Sequence, residues 1–147
     1  MRRSLCGLLV AAQLYAGAAA QAEYVGGTSS MLASGEAGSL DAKDEQYLAF
    51  YTKKEQIRVP FSRINLLEYG QQVDRRLALA VVLSPVFLLS KKRRHFLTIG
   101  YTHEGKQQAL VFRVDKNAIR ATLATLEART GLKITFQDQE ARKASGR

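Results

Sequence analysis

The side chains able to do chemistry are few and scattered along the chain. Cys6 is the only cysteine, and His95 and His103 are the only histidines. A serine or thiol nucleophile needs a base within hydrogen-bond reach and a motif that holds the two together. No G-x-S-x-G or H-E-x-x-H occurs, and neither histidine has a Ser or Cys partner in a recognisable pattern. A zinc site wants several His, Cys or carboxylate ligands converging. His95 instead follows four consecutive cations, Lys91, Lys92, Arg93 and Arg94, which disfavour a bound metal ion, and His103 falls in an expected hairpin turn. Both read as solvated surface residues. Glu45, Glu68, Glu104 and Asp115 fall at turns and strand ends, where turn and capping roles account for most of them. Gly26-Gly27 lacks the glycine spacing of a phosphate loop. The expectation is a protein with no catalytic residue, no metal ligand and no cofactor.

What the sequence offers instead is a surface. Arg75 to His95 reads RRLALAVVLSPVFLLSKKRRH, with an uncharged run from Leu77 to Ser90 closed at both ends by cations. As one helix that run spans about 21 Å at 1.5 Å per residue, short of a hydrocarbon core of about 30 Å. Pro85 in its middle would break or kink such a helix, so a simple transmembrane span is not expected. Ser84-Pro85 reads as a turn that folds the run back on itself. The fold-back gathers Arg75 and Arg76 beside Lys91, Lys92, Arg93 and Arg94 at one base. Val82, Leu83, Val86 and Phe87 then form an apolar tip suited to a membrane or a membrane-bound protein, while the cations meet anionic lipid head groups at about 1 kcal/mol each. The competing expectation is that the run belongs to the core, as two strands or a short packed helix, with its basic ends solvated.

The chain has 147 residues, enough for one domain plus its ends. Arg2 and Arg3, the apolar run Leu5 to Ala20 and the small residues after it have the form of a signal peptide. Ala20-Gln21-Ala22 and Ala18-Ala19-Ala20 both fit a cleavage site, and cleavage after Ala22 is favoured. Residues 1–22 are thus expected to be removed, which takes Cys6 away and leaves 20 basic against 13 acidic residues, a net charge of about +7. Export with cysteine-free cargo points to a bacterial periplasm or cell envelope. It also turns the basic charge away from nucleic acid and towards anionic lipid or acidic polysaccharide.

The elements that would position these residues are short strands. Glu23–Thr28, Gly38–Asp41, Tyr47–Tyr51, Gln56–Pro60, Ile64–Gln71, His95–Thr102 and Ala109–Val114 carry β-forming or alternating residues between turn signals. Phe61–Arg63 and His103–Lys106 are turns. The period then changes: Asp115 suits an N-cap, Lys116–Thr130 an amphipathic helix with Ile119, Leu123 and Leu126 on one stripe, and Gly131 its left-handed C-terminal cap. Leu132–Phe136 is extended, and 137–147 reads as a frayed polar, basic tail. Strands do not alternate with helices, so a parallel α/β sheet is excluded. The expected fold is mainly β with one C-terminal helix: a strongly bent antiparallel sheet or small barrel capped by that helix, formed by residues 23–136 with an insertion at about 75–95.

The segments IRVPFSRINLLEYG and HFLTIGYTHEGKQQALVFRV, with a closing helix that ends LEARTG, resemble the pleckstrin-homology-like domains of exported bacterial proteins. The resemblance covers roughly Gly38 to Phe136. It implies a seven-stranded bent barrel closed at one end by the helix, and a scaffold for binding lipids, peptides or proteins rather than an enzyme. The first hairpin lacks the basic motif of phosphoinositide-binding members, so inositol-lipid specificity is not implied.

Overall fold

The computed structural model describes residues 19–71, the backbone of 82–83, and 94–146. Nine strands run in the order β4-β3-β2-β1-β8-β7-β5-β9, with β6 attached to β1. They are β1 (Ala20–Gly27), β2 (Glu36–Asp41), β3 (Tyr47–Tyr51), β4 (Gln56–Pro60), β5 (Ile64–Gly70), β6 (Val82–Leu83), β7 (His95–His103), β8 (Lys106–Val114) and β9 (Thr135–Phe136). Two helices follow β8: α1 (Ile119–Thr130) and α2 (Gln139–Ala144). Every strand pair is antiparallel except β5 with β9. The order is an open path, so among the described residues the sheet bends without closing into a ring.

The bend follows from which side chains meet. Alternation puts Tyr24, Leu48, Phe50, Val59, Tyr69, Leu97, Ile99 and Phe112 on one face, all within a single core. β3 and β8 stand three strand positions apart, about 14 Å across a flat sheet at 4.7–4.9 Å per strand. The rings of Phe50 and Phe112 nevertheless lie 4.7 Å apart. Helix α1 fills the concavity with Ile119, Leu123 and Leu126, spaced by four and three residues along one stripe and almost fully buried. Each leucine there would cost about 2–5 kcal/mol if truncated to alanine.

Several boundaries differ from the sequence expectation, each for a local reason. β5 carries a bulge between Ile64 and Leu66, which brings Ile64 onto the same face as Leu67 instead of the opposite one. Asp115 does not cap α1 directly. Its carbonyl accepts from the amides of Ala118 and Ile119 at 3.0 Å each and its Oδ1 from Asn117 at 2.8 Å, so a turn precedes the helix, which starts at Ile119. Gly131 ends α1 at φ 72°, ψ 2°, with its N–H donating to the Glu127 carbonyl, as expected.

One correction concerns the C-terminal end. Residues 139–144, expected in a frayed tail, form helix α2: Asp138 Oδ1 accepts from the Ala141 amide at 2.6 Å, and Ala141 is fully buried. The favoured cleavage point after Ala22 falls inside β1. Ala20 pairs with Leu40 and Ala22 with both Gly38 and Val114, and both alanines are buried.

Candidate functional surface at the neck of the insertion

The insertion leaves the sheet after β5 and returns at β7. The Arg94 N–H donates to the Gln71 carbonyl at 3.2 Å, directly beyond the pair Gly70 with Phe96. The chain therefore departs and re-enters at one point; the expected turn at Ser84-Pro85 lies outside the described residues. Of the expected contact residues, Arg94 is half-buried at this neck. Arg75, Arg76, Val86, Phe87, Lys91, Lys92 and Arg93 lie outside the described residues, as do residues 1–18 with Cys6. Val82 and Leu83 are placed by their backbone, which pairs as β6 with Gly27 and Gly26 of β1. β2 has ended by that point, its last pair being Glu36 with Tyr24, so β6 takes the edge that β2 leaves free.

The same end of the sheet has a second buried face. Val25, Phe96 and Val111 point away from the main core, yet are between 0% and 4% exposed and form a cluster of their own. Thr98, the cross-strand partner of Val111, is also buried.

Beside the neck lies a hollow of about 460 Å³, lined among others by Glu23, Arg94, His95, Arg113, Asp115 and Lys116. Glu23 and Arg113 face each other across β1 and β8 and form a hydrogen-bonded ion pair. Burial pushes the Glu23 carboxyl above its ordinary value, with Arg94 pulling it back in part.

His95 departs from its expected role as a solvated side chain. Its Nδ1 lies 2.5 Å from the hydroxyl of Tyr69, and the two rings are nearly parallel at 6.0 Å. Tyr69 is fully buried, with Phe136 edge-on against it at 6.2 Å. Burial holds the His95 imidazole below its ordinary value; Asp115 opposes that shift and Lys116 adds to it. The Tyr69 hydroxyl is pushed up to about 12, again by burial first. An activated nucleophile needs the reverse, a depressed pKa and access to substrate. The bond holds the His95 ring against the buried Tyr69 hydroxyl and ties β7 to β5 at the neck.

His103 stands in the β7–β8 turn with more than half of its side chain exposed, 3.9 Å from Glu104. Among the described residues no group of three or more His, Cys, Asp or Glu is arranged for a metal ion, and no helix is long and apolar enough to cross a membrane. The residues that sequence reasoning passed over are Tyr69, Glu23 and Arg113. Pairing β5 with β7 would have brought Tyr69 diagonally to His95, but nothing in the local sequence marks Glu23 against Arg113. Comparison of the chain with protein-family models and with curated proteins returns no match.

Proposed function

We propose that this protein is a non-enzymatic binding domain of the pleckstrin-homology-like kind. In this reading it is exported to the bacterial envelope and engages an anionic membrane surface, or a protein held there, through the apolar-basic segment 75–94. The observation that carries the reading is the bond between Arg94 and Gln71. Arg75 and Arg76 follow Gln71 closely in sequence and Lys91, Lys92 and Arg93 directly precede Arg94, which supports a reading in which the six cations act on one patch of surface rather than on opposite sides of a bilayer.

A second reading is favoured by the pairing of β6 with β1 and by the buried cluster of Val25, Phe96 and Val111. There the apolar run belongs to the domain core, and the protein is a soluble interaction or self-assembly module.

Flotation of residues 19–147 with phosphatidylglycerol and with phosphatidylcholine vesicles separates them. The membrane reading expects recovery with the anionic vesicles alone. It also expects a loss on replacing Lys91, Lys92, Arg93 and Arg94 by Gln, largest at low salt because exposed charges are screened over about 10 Å at 0.1 M. Protein that stays at the bottom with both vesicles sinks it. The double change Leu83→Asp with Phe87→Asp should abolish flotation with little change in melting temperature. Loss of folding would assign those side chains to the core.

A further inference from the structure

His95 is the one titratable group at the neck whose charge changes between pH 5 and 8 in its ordinary state, and its surroundings give that change a direction. The Tyr69 hydroxyl is buried and within hydrogen-bond reach of Nδ1, to which it donates when the imidazole is neutral with its own proton on Nε2. From β1 it faces Glu23, from β8 Arg113, from the connection to α1 Asp115 and Lys116, and from its own strand Arg94. Glu23 and Arg113 neutralise one another, while Asp115 favours the imidazolium and Lys116 opposes it.

We propose that His95 is the acid-responsive member of a phosphate-binding hollow formed with Arg94 and Lys116. Protonation takes Nδ1 away as an acceptor for Tyr69 and adds a cation beside the two already there, so capture of a phosphodiester strengthens as the pH falls. The inference rests on the membrane reading for its natural ligand, a phospholipid head group; a free phosphodiester presents the same chemistry. Without ligand, the lowered imidazole pKa means that the unfolded chain binds the proton more readily. Stability is therefore full above the ordinary value of 6.5 and declines as the pH drops below it. Ligand binding reverses that loss, because a bound anion must raise the pKa of His95 by reciprocity.

The test is an NMR titration of the histidine rings of the full chain from pH 8 to 5. It is run alone, with dimethyl phosphate, which keeps one negative charge throughout, and with phosphatidylglycerol vesicles. The expected result is an upward shift of the His95 midpoint with both ligands and at least about five-fold tighter binding at pH 5 than at pH 8. His95→Asn, which keeps an acceptor near Nδ1 but does not titrate, should lose the acid gain. Tyr69→Phe should raise the His95 midpoint without ligand, and this arm stands should the Asn variant fail to fold. An unmoved midpoint with both ligands overturns the proposal. A shift with dimethyl phosphate together with no vesicle binding at either pH keeps the phosphate site and sinks the membrane reading. Vesicle binding that does not change with pH sinks the proposal and leaves the membrane reading in place.

Discussion

Gly27 of β1 lies directly against the carbonyl of Ala109 in β8. A Cβ added to Gly27 would overlap that oxygen and stand 2.8 Å from the Tyr24 hydroxyl. Gly27 also pairs with Leu110 on one side and Val82 on the other. This close approach is thus also the place where β6 is tied to the sheet. Gly27→Ala should destabilise the protein by about 1–3 kcal/mol, as overpacking does, read as a lower urea midpoint. It should also speed amide exchange at Val82 and Leu83.

Replacing residues 72–93 with a short Gly-Ser linker should keep β5 paired with β7, because Gln71 and Arg94 are already bonded. Under the reading in which the apolar run belongs to the core, stability should fall as Val25, Phe96 and Val111 return to water, at about 1.5–3 kcal/mol for each fully buried side chain. Chemical denaturation checks this. An unchanged midpoint would release the whole apolar run for contact with a partner.

Arg113→Met removes the guanidinium from Glu23 and leaves a carboxylate in a partly desolvated place. The Glu23 carboxyl is already raised from 4.5, chiefly by burial. A folded state that holds this proton more tightly than the unfolded one loses stability as the pH rises through the folded pKa. The variant should therefore lose about 1–3 kcal/mol at neutral pH, and the deficit should shrink as the pH falls through the raised folded pKa towards 4.5, below which both states are protonated. Adding Glu23→Gln should restore part of the loss.

A chain beginning at Glu23 should be less stable than one beginning at Ala19. It lacks the pairs of Ala20, Gln21 and Ala22 with β2, and the bond at 3.1 Å from the Asp115 amide to the Gln21 carbonyl. Each lost hydrogen bond is worth about 0.5–1.5 kcal/mol, and paired urea melts measure the difference.

How far the sequence reveals this fold depends on whether a residue's role is local. Tyr47–Tyr51, Gln56–Pro60 and the turn Phe61–Arg63 are placed correctly because alternation and Pro60 act over a few residues. Helix α2 escapes notice because Ala141 is its only buried side chain, too little for any periodicity. Ala20 and Ala22 carry two signals at once for a chemical reason: small side chains suit both a peptidase site and a strand pressed between two neighbours. The His95–Tyr69 bond is a diagonal contact across paired strands. Register decides it, and the bulge in β5 keeps register from being read off alternation alone.

The position of β1 sets the order in which the molecule can assemble. Its early neighbour β2 follows closely in the chain, but Ala22 also pairs with Val114, and Tyr24 with Phe112. The central strand thus waits with one side unpaired until most of the chain has been made, and closing that contact carries the entropy cost of a long loop. Folding dominated by such distant pairings is slow, on a scale of about milliseconds to seconds. During that interval the edge of β1 at Tyr24 and Val25 is the site most open to pairing with another chain.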